Sequence, residues 1–174
     1  MSIAFSCKDT DFKLFLFSTY ICPIVEYSTP VWNPQIVCDI DAVERVQRRF
    51  TKFLPGLSQL PYIDRLNALN LKSLEERRLN FDLILLFKII NNLIPLNPND
   101  FIEFANLSTR GHNLKIRVKY SRTNIKKYAF PNRIIHCWND LPSEVVNAQN
   151  INKFKYKLKL INLRRYCKGS AIRL

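Results

Sequence analysis

Apolar residues recur at helical spacing through most of the first hundred positions, which predicts a mainly α chain. Residues 11–27 are apolar on most sides and read as a buried helix kinked at Pro23. The stretch Ser28-Thr-Pro-Val-Trp-Asn-Pro34 carries two prolines and breaks regular helix. Asp41 then reads as an N-cap with Glu44 as its capping-box partner. Val43, Val46, Phe50 and Phe53 follow as a core stripe, and Pro55-Gly56 stops the helix. A short helix fits 61–69. Ser73 and Glu76 cap a longer one, in which Leu79, Leu83, Leu86, Ile90 and Leu93 repeat at three or four before Pro95 and Pro98 end it.

The second half changes period. Leu114, Ile116, Val118 and Tyr120 alternate with Lys115, Arg117 and Lys119, which predicts a half-buried strand with a basic outer face. Ile134, Ile135 and Trp138 return to helical spacing up to Pro142. Over 154–160 the alternation Phe-Lys-Tyr-Lys-Leu-Lys-Leu favours a strand, whereas the Ile151, Phe154, Leu158, Ile161 spacing favours a helix. Periodicity alone leaves both readings open for 153–161. The expected fold is therefore mainly α, a helical half followed by a small basic α+β half.

Composition bounds the class. The chain has 174 residues, 47% of them hydrophobic, enough for one domain or two small ones with a real core. Only 3 glycines leave no room for a Gly-rich phosphate loop. No apolar run reaches the roughly 18 residues of a spanning helix, and 12–25 lacks the flanks of a signal peptide. The 5 cysteines are odd in number, at least fifteen residues apart and without a C-x-x-C pair, so thiols are expected rather than disulfides. That usage supports an intracellular location, nucleus or cytoplasm, and the lack of a spanning run leads us to expect no membrane partner.

Charge changes the picture most. The chain carries 27 Lys plus Arg against 14 Asp plus Glu, a net +13. Residues 1–106 hold 11 basic and 12 acidic side chains, whereas 107–174 hold 16 basic and only Asp140 and Glu144. The chain thus divides into a near-neutral helical part, 1–106, and a basic part, 107–174. Such asymmetry points to a polyanion, the backbone of RNA or DNA. The expected phosphate contacts are Arg110, Lys115, Arg117, Lys119, Arg122, Lys126 and Lys127. Arg45, Arg48, Arg49 and Lys52 form a second basic edge, which fits a duplex backbone and a solvated face equally well. Tyr120, Tyr128, Phe130 and Tyr156 interleave with the charges and could stack on unpaired bases, although core packing is the more ordinary role for most of them.

Candidates for catalysis are few. His112 and His136 are the only histidines, and neither sits in a nucleophile or metal pattern. The adjacent His136–Cys137 pair is poorly spaced for one metal. His136, beside Trp138, reads as a core histidine, and Asp39 and Asp41 read as helix-start residues. The Arg110-Gly111-His112 turn could contact phosphate or be a plain turn. The expectation is no catalytic residue, no metal, no cofactor and no small-molecule substrate.

Several segments together resemble a known family. The stretch Tyr20-Ile-Cys-Pro-Ile-Val-Glu-Tyr-Ser-Thr-Pro-Val-Trp-Asn-Pro34 resembles the region after the polymerase core in LINE-type, Jockey-like non-LTR retrotransposon reverse transcriptases. Val43-Glu-Arg-Val-Gln-Arg-Arg-Phe-Thr-Lys52, Leu54-Pro-Gly-Leu57 and Leu69-x-Leu71-x-Ser73-Leu-Glu75-x-Arg77-Arg78 continue in the same order. Thr109-Arg-Gly-His112, Ser121-Arg-Thr123 and Arg133-x4-Trp138-Asn139-x-Leu141-Pro142 complete the series over residues 15–165. The resemblance implies thumb-like helices up to Phe53, then a carboxy-terminal region that binds element RNA or target DNA. It also favours a helix over 150–165, which we adopt. The family's Tyr/Phe-x-Asp-Asp catalytic motif does not occur in this sequence. Residues 1–11 do not match and are expected to mark the start of a truncated copy. The implied function is non-specific nucleic-acid binding without polymerase activity. The alternatives are a helical module docking on a reverse transcriptase core, or a decayed reading frame without function.

Overall fold

Asp9 accepts the Asp11 N–H at 3.0 Å and opens α1 (Thr10–Leu16) in the computed structural model, which describes residues 9–105 and 111–169. A π-helical turn, Phe17–Ile21, carries the chain into α2 (Cys22–Glu26). Pro23 has no N–H for the carbonyl four residues back and its ring presses on it; just before it, the Cys22 N–H reaches Phe17 O, five residues back. A single turn, α3 (Thr29–Trp32), occupies the stretch where the prolines predicted no helix, because Pro30 sits in its first turn, where the missing N–H costs nothing. There follow α4 (Val37–Lys52), α5 (Tyr62–Ala68), α6 (Leu74–Ile90), α7 (Pro98–Phe101) and α8 (Asn124–Tyr128). A 3-10 turn, Asn132–Ile134, leads into α9 (Ile135–Asn139), α10 (Ser143–Val146) and α11 (Ile151–Lys159), and the 3-10 turn Arg164–Tyr166 ends the series. The protein is mainly α.

The described residues fall into two compact units: 9–28, 34–75 and 168–169 in one, and 29–33, 76–105 and 111–167 in the other. This division differs from the partition of charge at 106.

In the first unit Phe17 stacks on Phe50 with ring centroids 4.1 Å apart, and Cys22, Ile40, Leu54 and Leu66 are buried. The segment 11–27 is helical but buries only one side, through Phe17 and Cys22, whereas Phe15, Tyr20, Ile24 and Tyr27 face solvent. The expected stripe on α4 is also corrected. Its buried positions are Ile40, Glu44, Gln47 and Thr51, whereas Val46 is exposed and Phe53 is 82% exposed. The helix starts at Val37, four residues before Asp41, with Ile36 at the N-cap, and Glu44 caps a different helix. Its carboxylate accepts the Leu74 N–H at 3.1 Å and the Glu75 N–H at 3.2 Å, the first two amides of α6. Tyr62 Oη donates to the same carboxylate at 2.5 Å, and Gln47 Nε2 donates to Lys72 O at 2.9 Å. Burial and Glu44 together hold the Tyr62 hydroxyl well above the usual tyrosine range. The chain tail is tied to the same helix start, for Glu75 accepts the backbone N–H groups of Lys168 and Gly169 at 2.7 and 3.0 Å.

In the second unit α6 supplies Leu83, Leu86 and Phe87 to a core that also takes Ile102, Ile116, Trp138, Phe154 and Leu158. Phe87 stacks on Phe154 at 4.2 Å. The helix α6 ends at Ile90, ahead of both prolines, as Asn92 takes a left-handed φ of 52° and the Leu93 N–H returns to Lys88 O; Leu93 lies outside the core. Residues 151–159 form a helix with Phe154 and Leu158 on the buried side and Asn150 as N-cap, accepting the Lys153 N–H at 2.8 Å. Burying that face outweighs the strict alternation of Lys with apolar residues.

The expected strand over 114–120 does not form, so the second half is not α+β among the described residues. Only one antiparallel bridge, Phe104 with Ile116, is present there. On its other edge Ile116 meets a side chain in place of a strand: its N–H donates to Asn139 Oδ1 at 2.9 Å and its C=O accepts from Asn139 Nδ2 at 2.8 Å. Only Ile116 is fully buried in this segment, and Val118 and Tyr120 point to solvent, so no apolar face holds a longer ladder. His136 is exposed, contrary to expectation. The core histidine is His112, whose Nε2 bonds Trp138 O at 3.0 Å.

Candidate nucleic-acid interface

The basic stretch leaves the Ile116 anchor as extended chain and turns at Thr123, whose side chain caps α8 by accepting the Lys126 N–H at 3.4 Å. This local order sets which cations are available. Arg117, Arg122, Lys126 and Lys127 are exposed, and none makes an ion pair among the described residues. Lys119 is engaged: its ammonium lies 2.8 Å from Glu103 and draws that carboxyl below the usual range. Lys115 is half-buried and folds back toward Gly111. Arg110 lies outside the described residues. Four of the seven expected phosphate-binding residues in this half are therefore open to a polyanion.

The interleaved rings divide evenly. Tyr120 is 90% exposed and Tyr156 is exposed too, so both can offer a face to a base. Tyr128 and Phe130 are half-buried, and each has a cation over its ring: Lys127 at 5.6 Å and Arg133 at 5.9 Å.

A basic face on α11 was missed by sequence reasoning. Lys155, Tyr156 and Lys159 point outward, opposite Phe154 and Leu158, while Lys157 is engaged with Glu144 O at 2.7 Å. The signal lies in the helix adopted over 150–165, where Lys155 and Lys159 fall at helical spacing opposite the apolar pair Phe154 and Leu158.

The first-half edge is partly solvated. Arg45, Arg49 and Lys52 are exposed on α4, whereas Arg48 is half-buried with its guanidinium 5.3 Å from the Tyr62 ring centre. These four lie in a different compact unit from the 117–127 group. The described cysteines, Cys22, Cys38, Cys137 and Cys167, form no disulfide. Burial pushes the Cys137 thiol up to about 12, which leaves it protonated and unreactive. No described helix is long and apolar enough to cross a membrane. No family model, no curated protein and no solved structure matches the chain.

Proposed function

We propose that the chain binds the phosphate backbone of RNA or DNA without sequence preference, as the post-polymerase segment of a LINE-type retrotransposon reverse transcriptase. The observation that carries the reading is the set of exposed, ion-pair-free cations Arg117, Arg122, Lys126 and Lys127 beside the exposed ring of Tyr120. Cations held on one short stretch release counterions when they meet phosphates, and an exposed tyrosine adds stacking on unpaired bases. Lys155 and Lys159 extend the supply of open positive charge to α11. The chain does not polymerise nucleotides by itself, since the family's Tyr/Phe-x-Asp-Asp motif is absent from the sequence.

Titrating the full chain with a 30-mer of single-stranded RNA and with duplex DNA, at 50 and 200 mM salt, tests the reading. Affinity for both should drop at least tenfold between the two salts. No binding at the lower salt, or equal binding at both, would refute it. Nucleotide incorporation with added magnesium on a primed template should be nil.

A second reading, docking on a reverse transcriptase core, is favoured by the apolar surface of 10–26, where Ile24 is 72% exposed and Phe15 and Tyr20 are also open. An Ile24→Lys variant should then lose capture by a separately expressed core, and retained capture would exclude this face.

A further inference from the structure

A cleft of about 400 Å³ opens in the first unit between α4, the turn that follows it and the start of α5. Arg48, Lys52 and Arg65 line it together with Ser58, and Leu60, Pro61 and Tyr62 form its apolar wall. We infer that this cleft is a binding site for a phosphate dianion, the phosphomonoester group of a nucleotide or strand end or orthophosphate itself.

Three cations and no carboxylate line the cleft. Arg65 is only 5% exposed, yet it has no acidic partner among the described residues. Its Nη1 donates to Arg48 O at 3.2 Å, and its Nε is buried without any hydrogen bond. The Nε of Arg48 is buried and unbonded as well. Both guanidinium groups lie against Tyr62, at 5.3 and 5.5 Å from the ring centre. A buried arginine is normally paired with a carboxylate or phosphate, because an uncompensated charge and idle donors are costly away from water. Glu44, which meets this wall through the Tyr62 hydroxyl, is already engaged elsewhere. Glu44 accepts from Tyr62 Oη and from the two leading amides of α6, so its charge faces that helix start.

The arrangement favours a dianion over a diester linkage. A phosphomonoester carries about −1.5 to −2 charge near pH 7 and offers three acceptor oxygens, which suits two arginine forks, an ammonium and a hydroxyl. The volume lies within the range of small-ligand clefts. This site is separate from the 117–127 cations and does not depend on their binding nucleic acid.

Calorimetric titration of the full chain with AMP, adenosine and sodium phosphate provides the test. AMP should bind and adenosine should not, and AMP binding should weaken as the pH falls from 7.5 to 5 and the second proton returns. Orthophosphate binding as tightly as AMP assigns the site to the phosphate group alone; tighter AMP binding assigns the apolar wall to the nucleoside. Arg48→Gln and Lys52→Gln, which alter side chains that reach solvent, should each weaken AMP about tenfold, with far-UV circular dichroism unchanged. Lys153→Gln, an exposed lysine outside both the cleft and the 117–127 group, should leave AMP binding as it is. Equal behaviour of AMP and adenosine, or AMP binding unaffected by both cleft substitutions, would overturn the inference.

Discussion

Arg133 and Asp82 form a forked, buried ion pair: Nε donates to Oδ2 at 2.8 Å and Nη2 to Oδ1 at 2.9 Å, with side-chain exposures of 5% and 0%. The same guanidinium donates to Thr29 O and Pro30 O, at 3.2 and 3.1 Å, and so fixes α3 beside α6 within the second unit. Arg78 Nε adds a bond to Asn33 Oδ1 at 2.9 Å. Segments that looked diagnostic in sequence, Thr29 to Asn33, Arg78 and Arg133, are here one buried polar network that holds the fold.

Arg133→Gln should therefore destabilise the protein by about 3–5 kcal/mol, measured by urea denaturation, because Asp82 is left charged and buried. Burial already raises the Asp82 carboxyl, with Arg133 opposing that rise. In the variant the folded state binds the proton more tightly than the unfolded chain, so the deficit should shrink as pH falls toward the carboxylate range. Arg133→Lys keeps the charge but not the fork and should recover only part of the loss.

Glu44→Ala should cost about 1–2 kcal/mol or more, since it removes the acceptor for two amides at the start of α6 and for the Tyr62 hydroxyl. Thermal unfolding followed at 222 nm reads this. A change under about 0.5 kcal/mol would mean that Glu44 does not cap α6.

His112 supplies a pH signature. Burial lowers its pKa from the ordinary 6.5, and its Nδ1 has no hydrogen-bond partner. The unfolded chain then binds the proton more readily, so the stability held above pH 6.5 is lost as pH falls through the lowered value. Urea midpoints at pH 7.5 and 5.5 should differ more for the natural protein than for His112→Gln.

How much of this was legible depended on whether a residue's partner lay nearby in the chain. The long helix α6 could be read from Leu79, Leu83 and Leu86, because an amphipathic repeat reports its own core face. Glu44 could not be placed. Its spacing from Asp41 matches a capping box, but the amides it serves are thirty residues away, and the polar buried face of α4 follows from that distant partner. The alternation over 114–120 promised a strand, yet an asparagine side chain stands where a neighbouring strand would be. The basic character of 107–174 was plain from counting, whereas the engagement of Lys119 by Glu103 needed the fold.

The helix register over 151–159 is testable by contrast. Phe154→Ala should cost about 3–5 kcal/mol through removal of the Phe87 stack and the cavity it leaves. Tyr156→Ala, two residues on and exposed, should change stability by less than about 0.5 kcal/mol. Similar destabilisation at the two positions would indicate a different register.

The most direct measurement is the salt dependence of RNA affinity for the natural chain and for a variant with Arg117→Gln, Arg122→Gln, Lys126→Gln and Lys127→Gln combined. These side chains are exposed, so the fold should survive their replacement. If these four cations neutralise backbone phosphates, the slope of log K against log salt should become shallower by about 3, since each phosphate neutralised on a single strand accounts for about 0.7 of the slope. An unchanged slope in the variant, or no salt dependence in the natural chain, would contradict the assignment of this stretch to nucleic acid.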